Sequence, residues 1–413
     1  MATEPLTAGP VTDDWCLHHF DHLSTELPER LSDTLARMRS QCPVARSDKH
    51  GGFWVVTAYE DVVHVAQDWA TFSSAHGLTV PASPIAVRNI PVEVDPPLHR
   101  VYKRLINAYF TPAAVAPWES ATRTLVTRLI DDFIESGRCE FMQAFARPLP
   151  ALAFFEFALG APRDEVDKVA YMASKSSAPN DPEAAECWLG LSNWISDFLD
   201  QRRRQPRRGD VVDGVLEAEI EGRPITDEEI VGTIQLLILG GLETTAGALG
   251  MMMVRLCNDP KIPDLLRRRP DLLPEAVEEL LRLDPPFIAI ARTATRDTEL
   301  GGRQIKEGDK VIIYWTSANR DEAEFPDPDE FSLERGSNRH VSFGIGPHRC
   351  AGSNLARMNL RVGLAELLGR LGDLKLEQSA EIHYHSTFTR APLDVPITFT
   401  PGPTIGNEGS HGR

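Results

Sequence analysis

The segment Thr226–Asn258 constrains the fold more than any other part of the chain, because it is long, apolar and helical in its pattern. Thr226 and Glu229 form a capping-box pattern at its start, and Asp259-Pro260 ends it. Roughly 33 residues at ~1.5 Å each would span about 50 Å. A helix this long and this apolar has to be surrounded by other elements, so we expect the chain to fold around it.

The middle of this segment, Gly240-Gly241-Leu242-Glu243-Thr244-Thr245, breaks several rules for a core helix at once. Each glycine costs roughly 1 kcal/mol relative to alanine. Adjacent threonines can bond back to the preceding turn and bend the helix, and a buried carboxylate must be neutralised, paired or solvated. Such a combination indicates a functional site. The alternative is a crossing point where small residues let two helices approach closely.

Helical patterns dominate the remainder, and the strand-like runs do not alternate regularly with helices, which argues against a doubly wound sheet. The sequence therefore predicts a mainly α fold with small antiparallel β-sheets held to one side. We expect the chain to form a single domain over residues 1–413, with loose tails at about 1–15 and 401–413. The predicted helices besides the central one are Thr111–Ser136, Asp164–Ala173, Glu183–Arg204, Pro274–Leu283 and Gly352–Leu371. The predicted extended segments are Phe53–Tyr59, a meander over Arg292–Ile313, and Ile397–Thr400.

Composition excludes some partners. Lysine and arginine total 43 and aspartate and glutamate total 60, a formal net charge of −17. This balance argues against nucleic acid as the main partner, because phosphate binding needs surplus basic residues. There is no basic stretch followed by an apolar one near the start and no run of about 18 apolar residues, so we expect neither a secretory signal nor a membrane span. The scattered cysteines predict reduced thiols and a cytoplasmic location.

The second unusual place is the segment 341–352, which reads VSFGIGPHRCAG. Glycines punctuate a loop before Cys350, and an amphipathic helix follows it. At a helix start, the backbone N–H groups and the helix dipole stabilise a thiolate. Such a thiolate is either a nucleophile or a metal ligand, although a lone cysteine is most often a buried spectator. His348 is the only nearby second ligand, and one cysteine with one histidine does not make a structural zinc site.

Three motifs in this chain resemble those of the cytochrome P-450 family, in the family's order and spacing. Their residues are Phe343, Gly346, His348, Cys350 and Gly352 for the heme-binding signature FxxGxHxCxG, Gly240 to Thr245 for the oxygen-activation motif [AG]Gx[DE]T[TS], and Glu279 to Arg282 for ExxR. The resemblance, which is to the soluble bacterial members, covers nearly the whole chain. It implies the cytochrome P-450 fold, with heme b between the long central helix and the helix that follows the cysteine loop.

The resemblance assigns cofactor-binding roles by matching position. It implies that Cys350 is the thiolate ligand of the heme iron, where electron donation favours O–O cleavage. Phe343 and Gly346 belong to the same heme-binding loop. It also implies that the heme propionates are held by His99, Lys103, Arg292 and His348. The family usually has arginine where Lys103 stands, so its neighbour Arg104 is the alternative contact. Outside these motifs, the ordinary interpretation of each basic residue is a solvated surface charge.

Two further groups acquire roles from the same resemblance. Glu243 and Thr244 match the acid–alcohol pair that delivers protons to O2, a general acid–base function. Glu279, Arg282 and Arg335 match a buried ion-pair cluster that holds the cysteine loop. Breaking such a cluster can cost ~3–5 kcal/mol.

The resemblance places a substrate pocket between the central helix, the loop 71–95, the segment 287–291 and the loop 386–390. Residues there are mostly apolar, which predicts an apolar organic substrate, with terpenoid size favoured over steroid or macrolide size. They are Leu78, Val80, Ile85, Leu239, Phe287, Ile288, Ile290 and Phe388. Tyr171–Glu186 would be a mobile lid over the entrance.

The chain has no dinucleotide-binding fingerprint, so we expect electrons to come from a separate ferredoxin or flavodoxin. Lys103, Arg104, Arg339 and Arg349 could form a basic docking patch for an acidic carrier; otherwise they contact only propionates and solvent.

The leading prediction is a heme-thiolate monooxygenase that inserts one oxygen atom from O2 into an apolar substrate. One alternative is a peroxygenase driven by peroxide, against which the intact Glu243-Thr244 pair argues. The other is a heme carrier or sensor without catalysis, in which an apolar helix interrupted by a proton-relay pair would have no purpose. Product formation with O2 and an electron donor, compared with peroxide alone, distinguishes the three.

Overall fold

The computed structural model describes residues 11–82, 87–176, 182–386 and 388–406. The chain divides into two compact units. The first unit comprises Met1–Val101, Glu278–Cys350 and Tyr384–Arg390. The second unit comprises Tyr102–Val277, Ala351–His383 and Ala391–Arg413.

Helices are the commonest regular element among the described residues, as the sequence predicts. In chain order they are α1 (Asp13–His19), α2 (Leu27–Gln41), α3 (Tyr59–Gln67), α4 (Leu98–Asn107), α5 (Pro112–Val115), α6 (Glu119–Asp131), α7 (Pro148–Ala153), α8 (Val166–Ser176), α9 (Ala184–Arg203), α10 (Val211–Leu216), α11 (Asp227–Asn258), α12 (Lys261–Arg268), α13 (Leu273–Leu283), α14 (Trp315–Ala318) and α15 (Ser353–Arg370). Single π-helical turns flank α7 at Met142–Ala146 and Phe154–Leu159.

The strands are short and form small sheets. In chain order they are β1 (Val44–Ser47), β2 (Phe53–Val56), β3 (Phe72–Ser73), β4 (Arg138–Glu140), β5 (Glu219–Ile220), β6 (Arg223–Pro224), β7 (Ala289–Ala294), β8 (Thr298–Leu300), β9 (Arg303–Ile305), β10 (Lys310–Tyr314), β11 (Gly372–Leu376), β12 (Tyr384–Ser386), β13 (Arg390–Pro392) and β14 (Pro396–Thr400).

The first unit is built on a five-stranded sheet in the order β1-β2-β10-β7-β3. Its neighbouring strands are antiparallel, as the sequence predicts, except for β2 and β10, which run parallel. Every residue of β7 is buried, because apolar side chains cover both faces of the sheet. This buried strand carries Arg292.

The long helix α11 is the centre of the second unit, where α7, α8, α9 and α15 pack against it. Thr226 caps it with the reciprocal hydrogen bonds to Glu229 that the sequence predicts. Within the described residues, α11 is also long and apolar enough to cross a membrane by length and composition. However, 67% of its most apolar window is buried inside the structure, as in a core helix. The second unit also contains a three-stranded antiparallel sheet, β11-β14-β4.

Two predicted segments are wrong in detail. The strand predicted over Phe53–Tyr59 ends at Val56, and Tyr59 begins α3, since Val62, Val65 and Ala66 bury one helical face. The helix predicted over Thr111–Ser136 is broken into α5, a 3₁₀ turn at Ala116–Trp118 and α6. The cause lies in Pro117, which has no N–H to continue the helical hydrogen bonds.

The predicted tails are ordered where the structure describes them. Val11 is buried, and α1 begins at Asp13 with Thr12 as its cap. At the other end, the amides of Ile405 and Gly406 donate hydrogen bonds to the carboxylate of Asp131. Loose tails are therefore not observed over residues 11–15 and 401–406.

Candidate active site

The loop before α15 presents Cys350 at its end. The Cys350 amide donates to the Phe343 carbonyl at 2.8 Å, and Cys350 is exposed. Gly344 and Gly346 have φ of 67° and 76°, a left-handed conformation that favours glycine. A Cβ on Gly346 would also lie 2.9 Å from the Ala66 carbonyl oxygen. The loop thus needs its glycines to close, and α15 begins three residues after the thiol, as the sequence predicts.

A buried ionic cluster in the first unit is connected to this loop by hydrogen bonds. Arg282 donates to both oxygens of Glu279 at 2.8 Å, and Arg335 donates to Oε1, also at 2.8 Å. The Ser332 amide and the Asn338 side chain complete five hydrogen bonds to the carboxylate. Although burial acts to raise it, the hydrogen bonds from the two guanidinium groups hold the pKa of Glu279 below its ordinary value.

Asn319 is a residue that sequence reasoning missed. It is fully buried, its side chain accepts from the Val341 amide at 2.7 Å, and it donates to the Ser342 hydroxyl at 2.8 Å. Its backbone carbonyl also accepts from Arg282 at 2.9 Å. Asn319 therefore connects the start of the cysteine loop to the ionic cluster. The sequence feature that could have indicated this role is an asparagine directly after the apolar strand β10 and the short helix α14.

Three of the four basic residues assigned to the propionates lie close to Asp95 and Ser74 in the first unit. The rings of His99 and His348 are 4.3 Å apart between centroids. Ser74 Oγ lies 3.0 Å from His348 Nε2 and donates to Asp95 Oδ1 at 2.9 Å. Asp95, for which the sequence predicts no role, is the acidic partner of this group.

Arg292 is a buried cation of this group. It is 3% exposed, and its guanidinium donates to the Ala291 carbonyl. Burial lowers the pKa of Arg292 to about 10, while the negative charge of Asp95 acts in the opposite direction, so the guanidinium stays protonated near neutral pH. A buried cation is suited to bind an anionic group such as a carboxylate. The donor set therefore fits the propionates of a heme.

The fourth basic residue, Lys103, follows His99 by four residues along α4. It is half-buried, whereas its neighbour Arg104 is exposed. Of the two, Lys103 is the better candidate for a cofactor contact.

The second unit contains the polar pair of the central helix. The Thr244 hydroxyl donates to the Gly240 carbonyl at 2.7 Å, which confirms the expected back-bond. Burial raises the pKa of Glu243, whereas the positive charge of Arg147 and a hydrogen bond with Ser174 act to lower it. A Cβ on Gly240 would meet nothing within 4 Å, so the helix surface one turn before Thr244 is open.

The residues predicted to line a pocket fall into separate groups. Val80 and Ile288 are buried in one apolar cluster of the first unit, with Phe388 packed against it. Ile290 belongs to a second cluster, against which Leu78 and Phe287 pack while partly buried. Leu239 lies on α11 in the second unit, and Ile85 lies outside the described residues.

Two further predicted features differ in the structure. Arg339 is paired with Glu324 through contacts of 2.7 and 2.9 Å, so it contributes less to a basic docking patch than the sequence suggests. Of the predicted lid Tyr171–Glu186, the first part is the end of α8 and the last part is the start of α9. Residues 177–181 lie outside the described residues.

Comparisons with known proteins agree on one family. A family model described as Cytochrome P450 matches residues 165–387. A steroid C26-monooxygenase of Mycobacterium tuberculosis is 32% identical over 89% of this chain and 100% of its own length. Linalool 8-monooxygenase of Pseudomonas putida is 31% identical over 89% of this chain and 95% of its own. The crystal structure of a Bacillus megaterium protein in complex with testosterone superposes with a TM-score of 0.83 at 28% identity, covering 91% and 99% of the two chains.

Proposed function

Because this chain belongs to the cytochrome P450 family, whose members bind heme b, we propose that it is a monooxygenase acting on an apolar, terpenoid- or steroid-sized substrate. When bound, the heme supplies the O2 activation needed to insert one oxygen atom. The single observation that carries the proposal is the exposed Cys350 at the end of a loop closed by left-handed glycines.

In this proposal Cys350 holds the iron and the basic group holds the propionates. A thiolate at the start of α15 is favoured by the helix dipole. Arg292, His99 and His348 would bind the propionate carboxylates together with Lys103, and the burial of Arg292 strengthens its attraction for an anion. The Glu279 cluster and Asn319 would act by fixing the loop that carries Cys350.

Glu243 and Thr244 are proposed to move protons. The Thr244 hydroxyl donates to the Gly240 carbonyl, which leaves its lone pairs available to accept a hydrogen bond. A carboxyl group whose pKa is raised by burial, like that of Glu243, exchanges protons more readily near neutral pH than an ordinary glutamate. The pair can therefore pass protons toward the open surface at Gly240.

The substrate class is proposed from apolar surface and from the relatives. The residues Leu78, Phe287 and Phe388 expose part of their apolar surface in the first unit. The named relatives act on a steroid and on linalool, and one structural neighbour holds testosterone. We favour terpenoid size, with electrons from a ferredoxin or flavodoxin and a cytoplasmic location.

The test uses the heme-loaded protein with a ferredoxin, its reductase and a library of apolar compounds. A low-to-high spin shift identifies ligands, and product formation from O2 identifies substrates. We expect Thr244→Ala to keep heme and the spin shift but to divert electrons to peroxide. Thr233→Ala is the matched control, because Thr233 makes the same 2.7 Å back-bond, to the Glu229 carbonyl, on the same helix.

Two results would refute the proposal. Unchanged coupling of electrons to product in Thr244→Ala would remove the assigned role of the hydroxyl. Faster turnover with hydrogen peroxide alone than with the ferredoxin system would identify a peroxygenase instead.

A further inference from the structure

Within the described residues, Asp21, His22 and His50 form a group whose ligand atoms, one from each side chain, lie within 4.8 Å of one another. The group is in the first unit, between the end of α1 and the turn that joins β1 to β2. We propose that it is a binding site for a divalent transition-metal ion of the zinc class. The proposal is independent of the proposed function, because none of the three residues belongs to the heme or proton-transfer groups.

His22 provides the strongest argument. It is 3% exposed, and its Nε2 lies 2.6 Å from the carbonyl oxygen of Val80. A carbonyl only accepts, so Nε2 carries the proton and Nδ1 carries a lone pair in the neutral ring. A second proton would place a cation against the rings of Phe53 and Phe388, where burial makes it unfavourable.

The lone pair of His22 is unused within the described part of the chain. Nδ1 is buried and has no hydrogen-bond partner among those residues. A metal-binding histidine typically donates its other ring N–H to a carbonyl or carboxylate, which fixes the ring and its tautomer. The bond from His22 to Val80 is an interaction of this type, and it leaves Nδ1 as the ligand atom.

Asp21 and His50 complete the donor set from the partly exposed side. His50 Nε2 lies 2.7 Å from Asp21 Oδ1, and the side chains of His50 and Asp21 are 26% and 30% exposed. The rings of His22 and His50 are 5.2 Å apart between centroids. Two imidazoles and one carboxylate are suited to zinc and similar ions, with a fourth position left for water.

Binding an ion requires only modest shifts: His50 Nε2 and Asp21 Oδ1, now 2.7 Å apart, move apart slightly, and the separations that approach 4.8 Å shorten. Ligands bonded at ~2.0–2.1 Å to a tetrahedral zinc ion lie about 3.4 Å apart. His50 sits in the turn Lys49–Gly51, with a left-handed φ of 50°, and is followed by Gly51 and Gly52. Because these side chains are at the surface, they can close on an ion without disturbing the buried ring of His22.

The experiment is calorimetric titration of Zn²⁺ into the full-length, heme-loaded, untagged protein. We expect one site, and we expect His50→Ala to weaken Zn²⁺ binding by at least about ten-fold. His18→Ala is the matched control, because His18 is a surface histidine 3.0 Å from Asp48 that lies outside the group. It should leave the affinity unchanged, and Mg²⁺ should not compete.

X-ray absorption at the zinc edge tests the donor set without relying on a variant of the buried His22. Two imidazole nitrogens with oxygen, and no sulfur, are expected. The proposal is wrong if His50→Ala binds Zn²⁺ as the unaltered protein does, if His18→Ala loses binding equally, if Mg²⁺ displaces Zn²⁺, or if sulfur ligates the ion.

Discussion

Replacing Glu279 with alanine tests how the cysteine loop is held. The change removes a carboxylate that accepts five hydrogen bonds, three of them from Arg282 and Arg335, whose side chains are 0% and 10% exposed. Hydrogen bonds to charged groups contribute ~1.5–3 kcal/mol each, so a simple sum over the five bonds would equal the whole stability of a typical protein.

The sum overestimates the loss, because both arginines keep other acceptors. Arg282 still donates to the carbonyls of Asn319, Pro328 and Glu330. Arg335 likewise keeps carbonyl acceptors, among them that of Asp327. The better guide is the loss of one partner from a buried ion pair, and we expect a decrease of about 3–5 kcal/mol in the free energy of unfolding.

The assay is equilibrium urea unfolding of the heme-loaded protein, followed by circular dichroism and by the heme absorbance. The matched control is Asp271→Ala, which breaks a 2.7 Å pair with Arg269 whose side chains are 61% and 57% exposed. That surface pair should contribute much less to the free energy of unfolding, because water and salt screen exposed charges. A loss in Glu279→Ala as small as in the control, with heme retained, would refute the reasoning.

Three further predictions concern residues of the first unit. Gly346→Ala places alanine at a left-handed φ, which costs ~1–2 kcal/mol, and brings its Cβ against the Ala66 carbonyl. The purified variant should therefore contain less heme than the control Gly336→Ala, where a Cβ meets nothing within 4 Å. Arg292→Leu removes a buried cation and should speed heme loss to a heme-accepting protein; an unchanged rate would contradict its role. Since the pKa of Glu279 is lowered from 4.5 in the folded state, its stabilisation is fully present above about pH 4.5 and is lost progressively as the pH falls through the lower pKa of the folded state. The stability difference between the unaltered protein and Glu279→Ala should thus shrink only below about pH 4.5; a constant difference down to pH 3 would contradict this.

Local patterns determined the features that the sequence predicted well. The start of α11 follows from the Thr226–Glu229 capping box, and the back-bond of Thr244 follows from helix geometry. The predicted strand Phe53–Tyr59 runs three residues past the observed end of β2, because the helical pattern that begins α3 at Tyr59 becomes clear only from the packing of Val62 and Val65 further along the chain.

Interactions between segments that are distant in the chain could not be predicted from the sequence. The bonds from Asn319 to Val341 and Ser342 join positions that no local pattern relates, although the ionic cluster they support matched a motif. The pairing of Arg339 with Glu324 is a similar case. In the sequence, Arg339 is one of several basic residues that could bind a partner, and only the structure shows that Glu324 already pairs with it. The approach of His22 to His50 also depends on how α1 and the β1–β2 turn meet.

The most direct test of the account is the absorption spectrum of the reduced protein with carbon monoxide. Cys350 as the iron ligand predicts the red-shifted Soret band of thiolate ligation, and Cys350→Ser should abolish that band. A purified protein without heme, or a spectrum of nitrogen ligation that is unchanged in Cys350→Ser, would contradict the central claim.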